Sequence, residues 1–109
     1  MHKKAILESD IVKQILQFLK KEYPSSFFWK THGGMYGTAG LPDICGCIDG
    51  RFVAFEVKRL GGKTTPLQRS TLDKLGDAGA IAIVVFGLDE VIESVEIRKI
   101  NKQRKANSN

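Results

Sequence analysis

Residues 40–58 read Gly40-Leu41-Pro42-Asp43-Ile44-Cys45-Gly46-Cys47-Ile48-Asp49-Gly50-Arg51-Phe52-Val53-Ala54-Phe55-Glu56-Val57-Lys58. Asp49-Gly50 is a strong signal for a two-residue β-turn, since both residues accept the positive φ that such a turn needs. On one side lies a mostly apolar run, 43–48. On the other, 51–58 alternates. Arg51, Val53, Phe55 and Val57 take one face, and Phe52, Ala54, Glu56 and Lys58 take the other. The stretch is therefore a β-hairpin. Residues paired across an antiparallel hairpin have numbers that add to a constant, about 99 for a turn at 49 and 50. Asp43 then lies opposite Glu56, with Lys58 on the same face.

Working outward, residues 7–22 (LESDIVKQILQFLKKE) have the apolar period of an amphipathic helix, with Ile11, Ile15, Phe18 and Leu19 on one stripe, widened by Val12 and Leu16. Glu8 falls at its start, on the border of that stripe. Tyr23-Pro24-Ser25-Ser26 ends it. Residues 27–31 (FFWKT) read as a short strand, and 32–40, with four glycines, as a loop. After Gly61-Gly62-Lys63, Thr65 is placed to cap a second helix with Pro66 at its first position, running to about Gly76. The continuous apolar run 80–86 (AIAIVVF) predicts a strand buried on both faces. Residues 89–96 predict a short helix with Val91, Ile92 and Val95 inward. The order is α-β-β-β-α-β-α: an α/β fold with a mixed four-stranded sheet flanked by helices.

The chain has 109 residues, 42% hydrophobic and 27% charged, the balance of a single globular domain. No apolar run approaches a membrane span, and the three apolar residues before Glu8 are too few for a signal-peptide core. The expected location is the cytoplasm or another intracellular compartment. Net charge is +5, and the tail residues Arg98, Lys99, Lys102, Arg104 and Lys105 account for all of it. The division expected is a domain over 1–97 and a basic tail over 98–109. The tail reads either as a solvated terminus or as an arm that binds phosphates. Cys45 and Cys47 share a strand face and are too close in sequence to bridge without strain. His2 and His32 do not complete a zinc pattern, so both cysteines are expected to be buried thiols.

Two carboxylates facing each other repel, and the placement gains from a cation between them. Magnesium takes hard oxygen ligands of this kind. It polarises a phosphoryl oxygen and yields hydroxide from bound water, while a neighbouring lysine orients water or stabilises developing charge. The set Asp43, Glu56 and Lys58 thus suits phosphodiester hydrolysis.

Gly40-Leu41-Pro42-Asp43, then Phe55-Glu56-Val57-Lys58 with thirteen residues from Asp43 to Glu56, then Gln68 in the next helix, resemble the PD-(D/E)xK nuclease superfamily. More narrowly they are similar to the stand-alone virus-type replication-repair nuclease (VRR-NUC) domain, over nearly the whole chain. The resemblance implies a restriction-endonuclease-like core and a Mg2+- or Mn2+-dependent endonuclease acting on DNA in phage or bacterial replication and repair. It implies metal ligation by Asp43, Glu56 and the Val57 main-chain carbonyl, with Glu8 as a further acid. Lys58 would position or activate water, and Gln68 would orient groups around the centre. Gln68 also stands three residues after Thr65, the spacing of a capping box. The shared fold of Holliday-junction resolvases implies a homodimer preferring branched or four-way DNA. Its interface is sought on Val12, Leu16 and Leu19 of the first helix or on Val91 to Ile97. Lys30 and His32, beside Trp29 and Tyr36, and Lys63 and Arg69 near the second helix are candidate DNA contacts. Two other readings compete: a non-catalytic DNA-binding module on the same fold, and a metal-dependent RNA-processing nuclease.

Overall fold

The structure is a computed structural model and describes residues 6–31 and 39–96. Helix α1 spans Glu8–Glu22 and is followed by β1 (Phe27–Lys30), β2 (Ile44–Ile48), β3 (Arg51–Val57), α2 (Pro66–Asp77) and β4 (Ile81–Val85). Residues 88–96 form a last helix, α3. Sheet order is β1-β2-β3-β4. The first two pairings are antiparallel and β3–β4 is parallel. The expected order and mixed sheet are both present, and element ends fall within a residue or two of expectation.

Local chemistry explains the elements. Asp49 has φ 51° and Gly50 φ 79°, the two positive values of a tight hairpin turn, and Ile48 pairs with Arg51 directly across it. At the start of α1, Asp10 accepts from the Leu7 N–H at 3.3 Å and so satisfies one of the free donors there. The Thr65 hydroxyl accepts from the Gln68 N–H at 3.1 Å and caps α2.

Alternation in the strands sorts residues onto two layers. Ile44, Ile48, Val53, Phe55, Val57 and Val85 pack against Ile11, Val12, Ile15 and Leu19 of α1 and Val91 and Val95 of α3. This is the main core, with Phe28 stacked on Phe55 at 6.5 Å between centroids. The opposite face carries Cys45, Ala54 and Glu56, all buried, and α2 packs along β4 with Leu72 buried.

Three expectations are corrected. The run 80–86 is not buried on both faces: β4 is the outer strand of the sheet, and four of its five residues are only half-buried. A continuous apolar run reports contact with helices on both faces, but it does not report whether a further strand lies alongside. Cys45 is buried, yet Cys47 is exposed, because the cover over that face stops short of the hairpin end. Val12, Leu19, Val91 and Val95, sought as interface, are core residues. Leu16 is partly buried against them. Ile97 and the tail lie outside the described residues.

Gly46 sits where β1 crosses closest. A Cβ there would meet the Phe27 carbonyl and the Phe28 ring. Gly46→Ala is therefore expected to cost about 3 kcal/mol, as overpacking against a backbone atom does, and to lower the melting temperature by roughly 10 °C or more. A melt unchanged from wild type would contradict the β1–β2 register.

Candidate metal-dependent active site

Asp43 precedes β2, held by the backbone on both sides. Its carbonyl accepts from the Thr31 N–H at 2.8 Å. The Thr31 hydroxyl also donates to the carbonyl of Pro42, which is fully buried. Thr31 is a positioning residue that sequence reasoning missed. Its one signal was its place at the end of the FFWKT run, across from Asp43. The Asp43 carboxylate turns toward β3, where Oδ2 accepts from the Val57 N–H at 2.8 Å. The register Ile44↔Phe55 continues to Asp43 opposite Glu56, as the turn arithmetic requires.

Glu56 is the one buried acid among the described residues, 2% exposed. Its Oε1 accepts from Gln68 Nε2 at 3.3 Å and lies 3.7 Å from Lys58 Nζ. Its Oε2 is buried with no hydrogen-bond partner. The neighbouring Asp43 carboxylate is also an acceptor, so the two acids can bond only when one carries a proton. Burial, first, and then a hydrogen bond with Asp43 and its charge push Glu56 up to about 8, against the opposing pull of Lys58. The same surroundings raise the Cys45 thiol, by burial and by the charges of Asp43 and Glu56. It stays a protonated, inert thiol next to the pair.

Gln68 serves two ends at once. Its Oε1 accepts from the Thr65 N–H at 2.9 Å, closing the capping box. That bond fixes which amide atom is the donor, and Nε2 is left to hold Glu56. Gln68 is thus both the helix cap's partner and a neighbour of the acid pair. Lys58 stands at the end of β3, its N–H donating to the Val85 carbonyl at 3.0 Å. Its side chain is mostly buried beside Glu56.

The other candidates sit further out. Glu8 Oε2 accepts from the Arg59 N–H at 3.4 Å, one residue past Lys58. Among the described residues no hydrogen bond joins Glu8 to Asp43 or Glu56, and no three His, Cys, Asp or Glu side chains cluster as a ready cation cage. Lys30 and Lys63 are exposed. Arg69 is exposed and pairs with Asp73 at 3.5 Å along α2. His32 lies outside the described residues.

The donor set suits a hard divalent cation. It offers two adjacent carboxylates, a buried oxygen with a free lone pair, and a main chain bonded to one of the carboxylates. The fold is a mixed α/β sheet with an acidic hairpin and a following helix whose Gln68 reaches Glu56. A solved structure described as a "VRR_NUC domain protein" is similar with a TM-score of 0.68, at 21% identity, over 86% of this chain and 88% of that one. A second, a "VRR_NUC domain", gives 0.59 at 22% identity over 77% of this chain and 92% of that one. The chain has the VRR-NUC fold. No family model and no curated protein matches the sequence.

Proposed function

We propose that this protein is a Mg2+- or Mn2+-dependent endonuclease that hydrolyses DNA phosphodiester bonds. The observation that carries the reading is the buried Glu56, held against a second carboxylate with one oxygen lacking any donor. In the metal-free fold only a proton shared with Asp43 can satisfy that oxygen, and a divalent cation can take the proton's place. Asp43, Glu56 and the Val57 carbonyl would hold the cation, with Glu8 as a further acid of the site. Bound there, the cation supplies a polarised phosphoryl oxygen and a source of hydroxide. Lys58 sits at the edge of the pair, where its ammonium orients the attacking water or neutralises charge on the phosphate. Gln68 locks the Glu56 rotamer through a donor that is itself fixed by the helix cap. Cleavage of supercoiled plasmid on addition of Mn2+, set against RNA of matching sequence, tests the activity. No cleavage of either polymer would leave only a binding module.

The DNA is proposed to be branched and the enzyme to act as a two-fold pair, since a four-way junction offers two equivalent strands and a symmetric dimer two matching centres. With α1 and α3 committed to the core, the surface offered to the second copy is the exposed apolar set Ile6, Leu7, Leu60 and Phe86. Ile6, Leu60 and Phe86 line a cavity of about 400 Å3 beside Arg59. Light scattering should give twice the 12.1 kDa of one chain. Cleavage should also be faster on a four-way junction than on a linear duplex. A monomer mass with and without DNA would remove the symmetry argument.

Among the described residues no helix is long and apolar enough to cross a membrane. The basic tail is proposed as a phosphate-binding arm. Deleting residues 98–109 should flatten the dependence of log K on log salt by roughly 0.9 for each phosphate that the shortened chain leaves unneutralised. An unchanged slope would return the tail to solvent.

A further inference from the structure

The sheet face that carries Glu56 is covered only in part. Along β1, β2 and β3 it presents three rows of residues paired across the strands. The first holds Asp43 and Glu56, with Thr31 bonded to Asp43. The second is Trp29, Cys45 and Ala54. The third is Phe27, Cys47 and Phe52. Cys45 and Ala54 are buried on this face, but the aromatic residues are left open. Phe27 is 71% exposed, Trp29 44% and Phe52 39%. The Phe27 and Trp29 rings lie 6.0 Å apart and are tilted to each other.

The largest exposed apolar patch on a small protein is often functional. At about 200 Å2 for a whole aromatic side chain, these three leave roughly 300 Å2 of ring surface in water. That is well short of the ~800 Å2 per partner of a standard protein interface. It suits about two or three stacked bases, as many as the aromatic residues of a small sheet carry. Successive rows on one sheet face are two residues apart, roughly 7 Å. The rings therefore stand one and two rows from the acidic pair, on the same face and in line with it. Bases inside a duplex present only their edges, whereas bases of an unpaired strand present faces that aromatic rings can stack on.

Building on the nuclease reading, we infer that Trp29, Phe27 and Phe52 form a stacking platform for an unpaired nucleic-acid strand that leads away from the phosphodiester held at Asp43 and Glu56. Among branched DNAs this selects those with a single-stranded arm adjoining the cleaved bond, ahead of four-way junctions, whose arms are all paired. The platform binds bases through their π-faces and so has no strong sequence preference.

The chain has one tryptophan, and it stands on this platform, so its emission reports binding there directly. The full-length protein is titrated with a fluorescein-labelled oligothymidine in EDTA. Binding is followed by anisotropy, and stacking by Trp29 emission with the same oligonucleotide unlabelled. Emission should be quenched at saturation by the single strand and not by a blunt duplex of equal length. Phe27→Ala and Phe52→Ala should each weaken single-strand binding by roughly 5- to 150-fold, the loss of one stacked base, with melting temperatures near wild type because both rings already face water. Binding with unchanged Trp29 emission and unchanged affinity in Phe27→Ala would overturn the platform. So would the absence of single-strand binding, or an emission shift with protein concentration alone as the mass doubles, which would assign the face to a second copy. Cleavage with Mn2+ is measured alongside, on plasmid and on a duplex carrying a single-stranded arm. Quenching without cleavage keeps the platform and removes the nuclease reading, and cleavage without quenching does the reverse.

Discussion

DNA cleavage by Lys58→Ala should fall by roughly 10²- to 10⁴-fold, the range for losing a group that moves a proton or stabilises charge at the reacting centre. Lys58 Nζ lies 3.7 Å from Glu56 Oε1 and its side chain is 13% exposed, so no bulk cation can replace it in the same place. Asp43→Asn and Glu56→Gln should fall at least as far, because each removes half of the charge that would hold the cation. The three variants differ in a way that separates roles. Lys58→Ala should still bind Mn2+, whereas the two carboxylate variants should bind it weakly or not at all. Gln68→Ala should lose less activity, since it acts through the Glu56 rotamer, and it should also lose stability at the α2 cap, about 1 kcal/mol. Lys58→Ala cutting at the wild-type rate would show that the mechanism assigned to this centre is wrong.

The second large effect is on stability, and it runs through pH. Glu56 has an ordinary value of 4.5 and is pushed up to about 8 in the fold, by burial and then by Asp43. Below the ordinary value it carries a proton folded and unfolded alike. Between there and about 8 the unfolded chain releases that proton while the fold keeps it. The metal-free protein should therefore lose stability as pH rises through this window, by on the order of a few kcal/mol in all. Above it the loss is complete. Glu56→Gln mimics the protonated acid, so it should abolish most of this slope and be the more stable protein at the alkaline end. A cation competes with the proton for the same oxygens. Mn2+ should thus bind more tightly as pH rises toward 8 and restore the wild type there, by about 2.7 kcal/mol when free metal is a hundred times its Kd. Glu56→Gln should show little of that rescue. Thermal melts from pH 5 to 8, in EDTA and in Mn2+, measure both. A wild-type melting temperature flat across that range in EDTA would mean that Glu56 is not held as described.

Much of this site was legible in the chain because it depends on local rules. The Asp49-Gly50 turn fixes the hairpin, the period of two sorts its faces, and together they place Asp43 opposite Glu56 with no help from the rest of the fold. Thr65-Pro66 fixes where α2 begins, and with it the position of Gln68. What the sequence could not determine is coverage. Whether a strand lies at the edge depends on which strands pair with it, and β4 ended up outermost despite its apolar run. How far a sheet face is shielded depends on how the whole chain packs over it, and here Cys45 is buried while Cys47 is left in water beside Phe27 and Phe52. The burial of Glu56 has the same origin. The residue type set its acid group, but only the tertiary packing took that group out of water. Pairing across a tight turn is a short-range constraint that a few residues can carry, whereas burial sums packing from the whole chain, so tertiary structure decides it.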